Sequence, residues 1–185
     1  MRRKISIAIC AICAIGTLSL AAFFLTRGEL HEVRMYRFDP DNPARRNVFK
    51  PELLIIEPGD RVKFISADPG FNTRSIPEMV PENLYVQDGG AKFWRSEYSQ
   101  DTTVKFDLPG IYGYKCQLYY MTSGMAGMIV VKGEGWDAEI ERMKNIGQDR
   151  TGLGRIRGIR QKGMGVVTFD RIWAEVKARR DEIEN

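Results

Sequence analysis

Leu108-Pro109-Gly110-Ile111-Tyr112-Gly113-Tyr114-Lys115-Cys116, followed after a short loop by Gly124-Met125-Ala126-Gly127-Met128-Ile129-Val130-Val131, decides how this chain is read. Pro109-Gly110 is a turn, and Ile111–Lys115 behind it has strand composition. Met128–Val131 is another short strand-like run, set off by glycines. Outward from this pair, Thr102–Phe106, Arg61–Ile65 and Leu53–Ile56 repeat the pattern, with Glu57-Pro58-Gly59-Asp60 as a second Pro-Gly turn. Val33-Arg34-Met35-Tyr36-Arg37-Phe38 alternates with the period of a half-buried strand before Asp39-Pro40-Asp41-Asn42-Pro43 breaks it. Strands this short, so regularly punctuated, indicate a sandwich or barrel rather than a parallel sheet.

Beyond Gly133 the character changes. Trp136–Asn145 and Thr168–Glu184 read as helices, joined by an Arg- and Gly-rich stretch over 150–165. In the second helix Phe169, Ile172, Trp173, Val176 and Ile183 form one stripe, with Thr168 placed to cap its start. The stripe suits packing on the sandwich, docking to a partner or lying on a membrane surface.

Ile5–Thr26 carries no charge and, at about 1.5 Å per residue, is long enough to span the roughly 30 Å core of a bilayer. Arg2, Arg3 and Lys4 precede it, so an uncleaved segment would hold the N-terminus in the cytoplasm. The rival reading is a signal peptide cut after Ser19-Leu20-Ala21. The apolar run continues through Ala22-Phe23-Phe24-Leu25, which favours an anchor. The expected organisation is an anchor over 1–27, a linker with one strand over 28–46, a β domain over 47–133 and a helical, basic extension over 134–185.

Several function classes fall away. A zinc hydrolase, a histidine-based triad or a haem protein with two histidine ligands cannot be assembled around the one histidine, His31. Of three cysteines, Cys10 and Cys13 lie inside the apolar segment and Cys116 far downstream, so no disulfide framework follows. A net charge of +4 selects no partner, because nearly as many acidic residues are interspersed. No paired catalytic carboxylates and no phosphate-binding glycine loop appear in a suitable context, so an enzyme is not expected.

Three groups of motifs occur in order: Val48-Phe49-Lys50-Pro51; Glu57-Pro58-Gly59-Asp60-Arg61-Val62-Lys63-Phe64; and Gly70-Phe71-Asn72-Thr73-Arg74-Ser75-Ile76. Together with the opening pair of motifs, they resemble the pseudoazurin and plastocyanin-like branch of the cupredoxins over about residues 47–133. The resemblance implies a mainly β, Greek-key sandwich, with about six added residues near Tyr85–Gly90. It also implies a type 1 copper ion held by two histidines, a cysteine thiolate and a distant methionine. Carried over position by position, Cys116 is the thiolate and Met125 the thioether, the latter with one extra loop residue. The histidine positions hold Phe71 and Tyr119. Phenylalanine has no donor atom, and a phenol of pKa about 10 ligates copper(I) poorly at neutral pH. Phe71, Tyr119 and Tyr120 are expected to fill the former metal pocket, while Asn72 keeps the place of an asparagine that ties the family's ligand loops together.

The resulting expectation is a non-catalytic, membrane-anchored docking subunit without a cofactor. It would sit on the periplasmic side of the inner membrane, on a photosynthetic reaction centre or respiratory complex. Integral membrane proteins and lipid are its expected partners, with neither nucleic acid nor a small-molecule substrate. Arg150, Arg155, Arg157, Arg160, Lys162 and Trp173 are the candidate partner-binding residues. The alternatives are copper(I) handling through Cys116 and nearby methionines, since both donors are soft, or electron transfer at an atypical copper site.

Overall fold

A computed structural model describes residues 28–81, 84, 94–133 and 164–184. The expected anchor, the added residues near Tyr85–Gly90, the helix over 136–145 and the basic tract lie outside the described residues. Among the described residues, eight strands form two four-stranded sheets. The first comprises β1 (Leu30–Phe38), β2 (Arg46–Lys50), β4 (Arg61–Ile65) and β6 (Thr102–Lys105), in the order β2-β1-β4-β6. The second comprises β3 (Leu53–Ile56), β5 (Arg74–Ser75), β7 (Gly110–Lys115) and β8 (Ala126–Val131), in the order β3-β8-β7-β5. Each sheet contains one parallel pair, β1 with β4 and β3 with β8.

Between the sheets, Val33, Met35, Phe49, Val62 and Phe64 from the first meet Ile56, Tyr112, Tyr114, Ile129 and Val131 from the second. The alternation in β1 reflects this one-sided burial: Val33 and Met35 face inward while Glu32 and Arg34 stay exposed. β8 shows no alternation, because every residue of it is buried. Its second face is covered by the C-terminal helices α2 (Met164–Ala178) and α3 (Arg180–Glu184). Ile172, Val176 and Ile183 join Leu53, Ile111, Met128 and Val130 in a second apolar layer, with Phe169 and Trp173 at its margin. The apolar stripe of the final helix therefore packs on the chain's own sandwich. Thr168 does not cap that helix: it lies one turn inside it, and its hydroxyl donates to the Gly124 and Met164 carbonyls at 2.8 and 3.3 Å.

Two polar anchors sit away from this layer. Asp39, almost wholly buried, receives Arg45 and Lys50. Asp60 accepts the Glu29 and Glu57 N–H groups at 2.7 and 3.0 Å and pairs with His31 Nε2 at 2.9 Å. Burial pushes the Asp60 carboxyl upward, but the His31 and backbone hydrogen bonds outweigh it and hold the carboxyl below its ordinary range.

Two outcomes follow from this packing. Ile172→Ala should destabilise the protein by about 2–4 kcal/mol in urea unfolding, as for a fully buried aliphatic side chain. A depressed carboxylate stabilises the fold above its unfolded pKa, and that contribution disappears as pH falls through the folded value. Asp60→Asn should therefore cost stability at neutral pH, and the gap from wild type should close below about pH 4. A gap that stays constant from pH 7 to pH 3 in thermal unfolding would assign Asp60 no linkage.

Candidate metal centre

Cys116 directly follows β7 at the rim of the sandwich, and the chain turns sharply after it. The Tyr120 N–H donates to the Cys116 carbonyl at 3.1 Å, opening the single helical turn α1 (Tyr120–Ser123). Gly124 ends that turn in the left-handed region at φ 72°, with its N–H on the Tyr120 carbonyl at 3.2 Å. Met125 then donates its N–H to the Tyr119 carbonyl at 3.2 Å, while Cys116 donates its own to the Met125 carbonyl at 3.1 Å. The two sulfur residues are thus bonded to each other through the backbone.

Neighbours brace this loop. The Thr168 hydroxyl of α2 holds the Gly124 carbonyl, and Asn47 Nδ2 donates to Ser123 Oγ at 2.7 Å. A side chain at Gly124 would meet the Met164 carbonyl at 2.6 Å, and one at Gly165 would meet the Tyr120 ring at 2.2 Å, so both helices approach closely only because glycine stands there. Tyr120, expected to help fill the pocket, packs instead toward Phe169, at 6.2 Å between ring centroids. Its hydroxyl is buried without a hydrogen-bond partner, and burial pushes it up to about 12.

The opposite wall is Phe71-Asn72-Thr73. The Ser99 N–H donates to the Phe71 carbonyl at 2.8 Å, and the Thr73 and Ser96 backbones are crossed by two hydrogen bonds, one through Ser96 Oγ. Asn72 bridges the walls: its Oδ1 accepts the Gln117 N–H at 2.9 Å and lies 3.5 Å from Cys116 Sγ. Its Nδ2 is buried and unpartnered.

The four positions carried over from the resemblance therefore come together. Phe71, Cys116 and Met125 belong to the inter-sheet core, and Tyr119 packs against it. The Phe71 and Tyr119 rings meet edge to face at 5.3 Å. Donor chemistry decides what this pocket accepts. A type 1 copper ion needs two imidazole nitrogens, and none is present. His31 is engaged by Asp60 near the start of β1, six residues from the Arg37 that overlies Phe71, or about 20 Å along the strand. Among the described residues, no group of three or more His, Cys, Asp and Glu could hold a metal ion. The residues present do not fit type 1 copper. Two buried sulfurs remain.

Of the candidate partner-binding residues, Arg150, Arg155, Arg157, Arg160 and Lys162 lie outside the described residues. Trp173 is half-buried against its own core, with Lys177 Nζ 5.9 Å from its ring. The bracing by Asn47, Thr168 and Ser99 escaped the sequence reading, because such residues mark turns throughout any β protein.

Residues 42–132 match the family of copper-binding proteins of the plastocyanin/azurin type. The pseudoazurin of Methylorubrum extorquens is 34% identical over 121 residues, covering 65% of this chain and 76% of its own length. That of Paracoccus pantotrophus is 32% identical over 123 residues, with 65% and 74% covered. The Methylobacterium extorquens pseudoazurin structure superposes with a TM-score of 0.52 at 32% identity, over 69% of this chain and 93% of that one. For the Sinorhizobium meliloti pseudoazurin the TM-score is 0.52 at 28% identity, with 73% and 98% covered.

These findings correct two expectations. A metal-free docking subunit of a photosynthetic or respiratory membrane complex gives way, because the relatives are named pseudoazurin and the matching family is one of copper-binding proteins. A single-pass location in the inner membrane gives way on the same ground. Among the described residues, which leave out Ile5–Thr26, no helix is long and apolar enough to cross a membrane. The ordered motifs, the two-sheet fold and the extent of identity converge: this chain belongs to the cupredoxins, in their pseudoazurin branch.

Proposed function

We propose that this protein is a non-enzymatic electron carrier with an atypical, histidine-free copper site. Its ligands are the Cys116 thiolate and the Met125 thioether. The observation that carries the reading is the joint retention of both sulfurs at the family's ligand positions, buried and backbone-bonded to each other, with Asn72 still joining the two loops. The name of the relatives and the copper-binding family model support it. A thiolate and a thioether are soft donors, and without imidazole they favour copper(I) over copper(II). This preference also supports a second reading, in which the protein holds and hands on copper(I) without cycling it.

Titration with copper(I) under a competing chelator should reach one equivalent per chain, and Cys116→Ser or Met125→Leu should weaken binding at least about tenfold, the loss of about 1.4 kcal/mol. Reversible voltammetry of the loaded protein would establish the carrier. Loss of the ion on oxidation would establish copper(I) handling instead. Failure to take up copper(I) would overturn both. With copper(II), wild type should show no intense thiolate charge-transfer band. The double substitution Phe71→His, Tyr119→His should create one, because the loops that place these positions are intact. A double variant without such a band would show that the loops no longer hold ligand geometry.

A further inference from the structure

Cys116, Met125, Phe71 and Asn72 are all essentially inaccessible to solvent. Tyr119 is the one member of this ring of positions that is only half-buried, and Gln117 and Leu118 beside it are exposed. Its backbone cannot move freely. It is the N-cap of α1, with φ −106° and ψ 0°, and its carbonyl accepts the N–H groups of both Ser123 and Met125. Phe71 across the contact is fixed more firmly. Ser99 holds its carbonyl, and the Arg37 guanidinium lies 5.9 Å from its ring centroid on the outer side. Arg37 is itself tied down by its N–H on Asp68 Oδ2 at 2.7 Å and its guanidinium on the Pro69 carbonyl at 3.2 Å. One wall of the pocket is therefore static. The other ends in an aromatic side chain on a fixed backbone, free to turn only about its own side-chain bonds.

We infer that the Tyr119 ring controls access to the Cys116–Met125 sulfur pair. It lies edge to face against Phe71 and opens by side-chain rotation while the loop backbone stays in place. The two rings together present no nitrogen and no charge to an incoming ion, so the entrance disfavours hydrated copper(II) and zinc. A soft monovalent copper ion delivered by exchange from another sulfur ligand needs no water shell to enter. The inference takes the ligand role of the two sulfurs from the reading above, but the seal itself can be tested without metal.

Alkylation of Cys116 by iodoacetamide, read peptide by peptide with mass spectrometry so that Cys10 and Cys13 do not interfere, reports access directly. Tyr119→Ala and Tyr119→Leu should each raise the Cys116 rate about tenfold or more, because a protected group reacts through local opening and these changes remove the barrier to it. Tyr119→Phe should stay within about twofold, since the ring and not the hydroxyl forms the seal. Leu118→Ala, changing an exposed neighbour, should leave the rate alone. Unchanged rates in both Tyr119→Ala and Tyr119→Leu, or an equal rise in Leu118→Ala, would overturn the inference. Circular dichroism of each variant separates opening of the pocket from loss of fold, and a rise in an unfolded Tyr119→Ala leaves Tyr119→Leu to decide. In the loaded series, copper(I) uptake should quicken in Tyr119→Leu. If wild type binds no copper(I), the proposed function fails while the alkylation rates still judge the seal.

Discussion

The pairing of β7 with β8 holds the molecule together. Six registered residue pairs, from Gly110 with Val131 to Lys115 with Ala126, align two strands that are buried almost throughout. An antiparallel ladder enclosed on both faces has no tolerance for slippage, because a one-residue shift would exchange the inter-sheet core for the layer under α2. The last pair of that ladder sits directly below the loop carrying Cys116 and Met125. The position of the two sulfurs is therefore set by the sheet register and not by the loop's own preferences.

Two aromatic rings, Phe71 and Tyr119, stand where the resemblance places imidazoles, and they decide what joins the loops at this end of the sandwich. A metal joins its ligand loops by coordination. Here the Phe71–Tyr119 contact and the Asn72 bridge join the same loops by dispersion and hydrogen bonding. The exchange leaves one unfavourable residue: Asn72 Nδ2, buried without an acceptor, whose desolvation costs about 1–3 kcal/mol. Asn72 cannot simply rotate its amide to relieve this, because Oδ1 is needed by the Gln117 N–H.

Much of the architecture was legible in the sequence. Leu53–Ile56 and Arg61–Ile65 were bounded correctly because turn residues flank each of them. β2 was not read as a strand, since Val48 and Phe49 offer only two apolar residues before Pro51, and its existence depends on the ladder with β1. Ordered motifs also carry the four positions taken from the resemblance, which lie together at one end of the sandwich. The seal, the Arg37 contact and the turning of Tyr120 toward α2 were not. Each depends on residues distant in sequence meeting at the rim, and no local pattern encodes such a meeting. The start of the final helix was misplaced at Thr168 because a threonine before an apolar stripe looks like a cap. In three dimensions that hydroxyl serves the Gly124 carbonyl instead.

The parallel pairing of β3 with β8 has a consequence for how the chain is made. Leu53 aligns with Met128, and Ile56 with Val131, so β3 leaves the ribosome long before β8, its partner in the sheet. Its apolar residues Leu53, Leu54, Ile55 and Ile56 then wait in an unpaired state, and the helix covering that pair, with Ile172 and Val176, is made later still. Contacts so distant in sequence slow folding, because the intervening loop must be ordered before they form. The second sheet therefore assembles only after synthesis is nearly complete. Until then Leu53–Ile56 stays an apolar segment without the strand and helix that cover it.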